Sequence, residues 1–139
     1  MQRIVIDTNV IVSALIGSGY PKKIIYDYIF GKKIIVCSSA EVFSEYVEVL
    51  SRERFTKYPE FVSKAEIVLN KIEELAIKFL PERTIRLIKD EKDNRFLELA
   101  EAADAWFLIT GNTNDFTMLQ YGNVKIVTPA EYVNHFFAR

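Results

Sequence analysis

The chain has 139 residues, half of them hydrophobic and about a quarter charged, a balance that suits one domain with a real core. Lysine and arginine number 18 against 19 aspartates and glutamates, a formal net charge of −1, which argues against a protein that grips long nucleic acid by bulk positive charge. Cys37 and His135 are the only residues of their types, which excludes a disulfide framework or a cysteine-based zinc centre within one chain and leaves no material for a histidine-rich metal site.

The opening MQRIVIDTN lacks the apolar stretch of a signal segment, and no run is long enough to span a membrane. The expected location is therefore cytoplasmic. Ile4-Val5-Ile6 reads as a strand buried on both faces and ends at Asp7. Val10 to Leu15 follows as a short helix beginning just after Asn9, and Gly17-Ser18-Gly19 ends it. Pro21 suits the start of the next helix, whose apolar face carries Ile24, Ile25, Tyr28 and Ile29 and which closes at Gly31. Ile34-Ile35-Val36 is a second strand. Ser38-Ser39 offers a serine cap for a helix whose apolar side is Val42, Phe43, Tyr46, Val47, Val49 and Leu50. Phe61 to about Leu75 returns to helical spacing, and Ile77 to Leu80 is a short third strand stopped by Pro81. After the polar stretch Asp90 to Asn94 comes a helix to Ala103, with Phe96, Leu97, Leu99 and Ala100 inward and Glu98 and Glu101 in solvent. Trp106 to Thr110 is the fourth strand and Val124 to Val127 the fifth. Thr128-Pro129-Ala130 then opens a last helix.

Strands alternating with helices predict a three-layer α/β/α fold over residues 1–139, with a mostly parallel sheet of about five strands. In such sheets ligands bind beyond the carboxyl ends of the strands. Asp7 ends strand one, Asn112 and Asp115 follow strand four, and Asp93 stands at the head of the helix leading into strand four. Glu45, one to two turns into its helix, still reaches back toward that edge. Asp104 belongs at the opposite edge, because the helix before it spans about 15 Å at 1.5 Å per residue. Three carboxylates gathered without a cation raise one another's pKa, and Mg²⁺ or Mn²⁺, which prefer oxygen ligands, relieve that repulsion. Such an ion activates water and stabilises charge on a phosphodiester, so no histidine is required.

Taken together, IVIDTNVIVSAL, SSAEVFSEYVEVLSR and DEKDNRFLELAEAADAWFLITGNTNDF resemble the PIN-domain family of metal-dependent ribonucleases, and most of all its VapC-type toxin branch. The resemblance covers nearly the whole chain in order. It implies Mg²⁺- or Mn²⁺-dependent cleavage of RNA, a homodimer and a small protein antitoxin that blocks the site. Matched position by position, Asp7, Glu45 and Asp93 are the metal-holding acids. Thr8 and Asn9 complete the first motif, Asn9 orienting Asp7 or another ligand, and Thr110 stands in support beside the ligands. The chain departs at residue 112, where many members carry aspartate and this one has Asn112. An amide carbonyl still binds a metal but brings no charge, which weakens a second ion more than the first. Asp115, three residues on, is the substitute carboxylate.

Plainer readings exist for each residue. Asp7 caps the following helix, Glu45 is a solvated face residue like Glu41 and Glu48, Asp93 and Asn94 are a capping pair, and Asn112 and Asp115 form a turn. Only the family block singles out Glu45. Basic residues flank the acidic edge, with Arg52, Arg54 and Lys57 after the second acid and Arg83, Arg86, Lys89, Lys92 and Arg95 before and around the third. Most such runs are solvated faces, and phosphate contacts by Arg52, Arg54, Lys92 and Arg95 are the functional alternative. Two other functions compete with the ribonuclease. One is a PIN-like module that binds RNA or protein without turnover, which Asn112 keeps in play. The other is a haloacid-dehalogenase-type phosphatase, which wants a second aspartate where the chain has Asn9.

Overall fold

The computed structural model describes residues 1–88, 91–111 and 119–137, with the backbone alone at 91 and 92. Six segments among the described residues form strands. They are β1 (Arg3–Ile6), β2 (Ile35–Ser38), β3 (Ile77–Lys78), β4 (Phe107–Ile109), β5 (Gln120–Tyr121) and β6 (Val124–Val127). Ile4, Val5 and Ile6 are fully buried, as a strand covered on both faces requires. The sheet runs β3-β2-β1-β4-β6-β5, and every neighbouring pair is parallel except β5 with β6. The sheet thus has six strands among the described residues, one more than the sequence suggests. The extra strand is the two-residue β5, folded back on β6 through Gly122 at a φ of 56°, a left-handed turn that glycine enters without steric cost.

The helices are α1 (Thr8–Ile16), α2 (Tyr20–Lys22), α3 (Ala40–Leu50), α4 (Phe61–Leu75), α5 (Glu91–Ala102) and α6 (Pro129–Glu131). Two of them continue with wider π-type hydrogen bonding, α2 through Lys23–Ile29 and α6 through Tyr132–Phe136. Gly31 ends the first of these extensions because a β-carbon there would collide with the carbonyl of Asp27. Ser39 caps α3 by accepting from the Val42 N–H at 3.2 Å, and Thr128 with Glu131 forms a reciprocal capping box on α6. Two helix starts differ from the sequence reading. The first helix begins at Thr8, two residues before the expected Val10. The helix expected from Asn94 begins at Glu91, so Asp93 and Asn94 lie inside its first turn instead of capping it.

From β1 the chain winds outward through β2 to β3, then crosses over to β4 and β6 on the other side of β1. α3 packs against α5, and α2 against α6; helices flanking the sheet give the three-layer arrangement. The winding reverses between β1 and β4, and at such a switch point the flanking chains part and leave a crevice at the carboxyl edge.

The stretch before α5 is the least regular described segment, and it is strapped along that helix. Arg83 pairs with Glu101 at 3.1 Å, the Ile85 N–H donates to Glu98 at 2.9 Å, and the N–H groups of Leu87 and Ile88 donate to Asn94 at 3.1 and 2.8 Å. Asn94, Glu98 and Glu101 are spaced four and three apart, so they line one helix face. Glu98 and Glu101, expected in solvent, are therefore holding groups, and the Tyr121 hydroxyl also donates to Glu101 at 3.2 Å.

Candidate active site at the reversal of the sheet

Asp7 sits where β1 ends, beside the end of β4. Its N–H donates to the Ile109 carbonyl at 2.9 Å, so the ladder between the two strands fixes its backbone. It occupies the capping position of α1, yet its carboxylate makes no capping hydrogen bond. Oδ2 instead accepts from the Thr110 hydroxyl at 2.6 Å and from the Asn9 amide at 3.2 Å. Asn9 in turn accepts from the Gly111 N–H at 3.2 Å, and so ties the loop after β4 to the loop after β1. The strongest hold on the Asp7 carboxylate thus comes across the sheet from Thr110, with the N–H groups of Thr8 and Asn9 at the start of α1 also close to it.

Burial raises the Asp7 carboxyl above its ordinary pKa; the Thr110 hydroxyl and the N–H groups of Thr8 and Asn9 pull it back, and the negative charge of Glu45 adds to the rise. Asp7 is nearly buried, and among the described residues no lysine, arginine or histidine pairs with it or with Glu45. The Thr8 hydroxyl beside it is also buried and has no hydrogen-bond partner among the described residues.

Glu45 is half-buried on α3, and the packing of Tyr46 sets its position. Tyr46 is fully buried, and its hydroxyl donates to the Ile6 carbonyl at 2.5 Å, one residue before Asp7. Its ring also lies 6.4 Å from that of Phe96 on α5. One side chain thus locks the helix of Glu45 to the strand of Asp7 and to the helix of Asp93. Tyr46→Phe keeps the ring and removes the bond; it is expected to lower stability by about 1–2 kcal/mol in chemical denaturation, since a buried carbonyl loses its donor.

Asp93 is 8 % exposed in the first turn of α5, at the carboxyl edge. Among the described residues, no three acidic, histidine or cysteine side chains stand close enough together to hold one ion. The charge of Glu45 acts on Asp7. Asn112, Asp115 and the side chain of Lys92 lie outside the described residues. Asp104 lies beyond the far end of α5, at a left-handed φ of 51°. Of the basic residues named from sequence, Arg52 is paired with Glu48 at 2.9 Å, Arg54 stands 4.8 Å over the Phe55 ring, and Arg95 is exposed on α5.

The donor set fits a hard divalent cation: oxygen ligands only, a carboxylate pair without a positive partner, and a buried hydroxyl beside it. The raised Asp7 carboxyl has a measurable consequence. The folded chain keeps this proton to a higher pH than the unfolded chain does, so the group favours folding at low pH. That contribution is lost as pH rises from the ordinary carboxylate range through the raised value. Asp7→Asn is therefore expected to melt higher than the wild type at pH 7 without divalent ions, with the gap closing below about pH 4; a gap that persists in acid would show that Asp7 ionisation is not its cause.

The family model described as PIN domain matches residues 3–114. The chain belongs to the PIN-domain family. PIN domains are in general nucleases. An uncharacterised protein of Methanocaldococcus jannaschii is 29% identical over 143 residues, covering 96% of this chain and 91% of its own. Among solved structures, a chain of the VapBC2 complex of Rickettsia felis, crystallised bound to a DNA fragment from its promoter, superposes with a TM-score of 0.62. It covers 91% of this chain and 98% of that one at 15% identity, a likeness of fold. No helix among the described residues of this PIN domain is long and apolar enough to cross a membrane.

Sequence reasoning missed two groups around the site. The Tyr46 hydroxyl was hidden because a tyrosine on an amphipathic stripe reads as core. The triple hydrogen bonding of Asn94 was hidden because its partners lie in a segment without periodicity. The signal available for Asn94 was its place within an inward-facing run, where a buried amide requires several partners.

Proposed function

We propose that this PIN domain is a Mg²⁺- or Mn²⁺-dependent endoribonuclease, the toxin of a toxin–antitoxin pair, acting in the cytoplasm. The observation that carries the reading is the buried Asp7 carboxylate at the sheet reversal, unpaired with any basic side chain among the described residues and held by Thr110 and Asn9 with Glu45 beside it. Asp7 and Glu45 would hold the ion, with Asp93 as third acid from α5 and Asn112 or Asp115 completing the set. The bound ion supplies an activated water and offsets the negative charge that develops on the phosphodiester. Thr110 and Asn9 both engage Oδ2 of Asp7, which fixes the carboxylate plane and leaves its other oxygen outside those two bonds. Tyr46 keeps the spacing of the two acids against their repulsion.

The toxin assignment rests on family membership and on the likeness to the VapBC2 chain. A small protein antitoxin and a homodimer are part of the same proposal. The decisive experiment incubates purified protein with mixed single-stranded RNA and Mn²⁺, and calorimetry follows ion binding alongside. Cleavage by internal cuts that needs the ion supports the reading; no cleavage across varied RNAs with ion present overturns it. A second reading, a PIN-like module that binds RNA or protein without turnover, draws on the absence of a three-acid group among the described residues. Asn112→Asp separates the two: cleavage that appears only in this variant favours the module.

A further inference from the structure

The arginines of the described residues divide by what they touch. Arg3 donates to the Ala103 carbonyl at 3.1 Å, Arg52 is paired with Glu48, Arg54 covers the Phe55 ring, and Arg83 is paired with Glu101. Arg86 and Arg95 make no ion pair among the described residues, and both are exposed. They line one cleft of about 410 Å³, between the strapped segment and the face of α5 that carries Asn94 and Glu98. That volume is within the roughly 300–1,000 Å³ of sites that take small ligands.

The cleft carries net positive charge despite its acid. Glu98 accepts the Ile85 N–H, and the Asn94 amide accepts from Leu87 and Ile88 and donates to Ile88. Two guanidinium groups and the Thr84 side chain remain in the lining. Arg95 lies two residues beyond Asp93, about 3 Å further along the helix axis and roughly 200° around it, so the cleft opens on the flank of α5 turned away from the Asp93 side chain.

We propose that this cleft binds a backbone phosphate of the RNA strand, outside the acidic centre. The inference rests on the ribonuclease reading and adds a substrate subsite to it. A site built from carboxylates repels a polyanion, and a chain with a net charge of −1 has no bulk attraction to offset that. The grip on the strand must then be local. Guanidinium groups suit it because their planar forks match phosphate oxygens in pairs. The contact reads backbone and not bases, so it positions the strand without selecting sequence.

The test uses the Asp7→Asn protein, which leaves RNA uncut, and a labelled mixed-sequence single-stranded RNA of about 20 nucleotides, a length that spans several backbone contacts. Binding is read by fluorescence anisotropy across a range of salt. Adding Arg86→Gln and Arg95→Gln is expected to weaken binding about tenfold, and to flatten the slope of log K against log salt by about 0.7, the share of one neutralised phosphate on a single strand. Lys64→Gln with Lys71→Gln, two half-exposed lysines on α4 that pair with Glu60 and Glu74, should leave both quantities unchanged. Unchanged affinity and slope in the arginine variants, or no RNA binding by the parent protein, overturns the subsite. The two readings fail separately. Wild-type protein that cleaves RNA while the arginine variants bind normally loses only the cleft, and protein that binds through the arginines yet never cuts loses only the nuclease.

Discussion

Asp7→Asn is expected to reduce ion-dependent RNA cleavage by about a thousandfold or more, a loss of roughly 4 kcal/mol in transition-state stabilisation. The substitution keeps a side-chain carbonyl for the Thr110 and Asn9 hydrogen bonds, so the fold should survive. What disappears is the charge that draws the ion. A melting series with Mn²⁺ provides the control. Ion present at about a hundred times its dissociation constant stabilises the wild type by roughly 2.7 kcal/mol, and the variant should gain almost none of this. A variant that cleaves at the wild-type rate would remove Asp7 from the mechanism, and one that melts early in ion-free buffer at neutral pH would contradict the account of its buried carboxyl.

Asn94→Ala is expected to cost about 3–5 kcal/mol of stability, a large part of the 5–15 kcal/mol typical of a domain. The amide accepts two N–H groups, those of Leu87 and Ile88, and donates to the Ile88 carbonyl at 2.8 Å. Alanine removes all three bonds and leaves an N–H and a carbonyl at the buried Ile88 without them. Chemical denaturation gives the magnitude. Hydrogen exchange gives the location, with protection lost first at Leu87 and Ile88. Asn94→Asp retains the two accepted bonds and should fall between; equal stability of all three proteins would show that the strap contributes nothing.

The fold was readable where its signals are local. Ile4-Val5-Ile6, Ile35-Val36-Cys37 and Phe107-Leu108-Ile109 are apolar runs too short for helices and become the central strands. Phe96, Leu97, Leu99 and Ala100 point inward as helical spacing requires, and all are fully buried. The strand β5 was not readable, because two residues cannot display an alternation; only Gly122 hinted at a turn. The π-type continuation of α2 was hidden too, since wider hydrogen bonding leaves apolar positions almost where an α-helix has them. At the candidate site, Asp7 was legible from its place after a buried strand. Its hold by Thr110, 103 residues away, was not, since nothing in the sequence sets the direction in which a carboxylate turns. The same limit hid the arginine cleft. Sequence ranked Arg52 and Arg54 equal to Arg95, and only the pairing of Arg52 with Glu48 and the stacking of Arg54 on Phe55 separate them.

Among the described residues the sheet ends on both sides in a strand of two residues, Ile77–Lys78 at one margin and Gln120–Tyr121 at the other. An edge that short offers an incoming chain very little main chain to pair with, and Lys78 places a charge on one of them. Short, charged edges are how soluble proteins resist polymerising strand by strand. High-level expression should therefore not drive this chain into fibrillar aggregates through its sheet. Among the described residues, then, side chains offer a lasting complex more surface than strand pairing at either edge does.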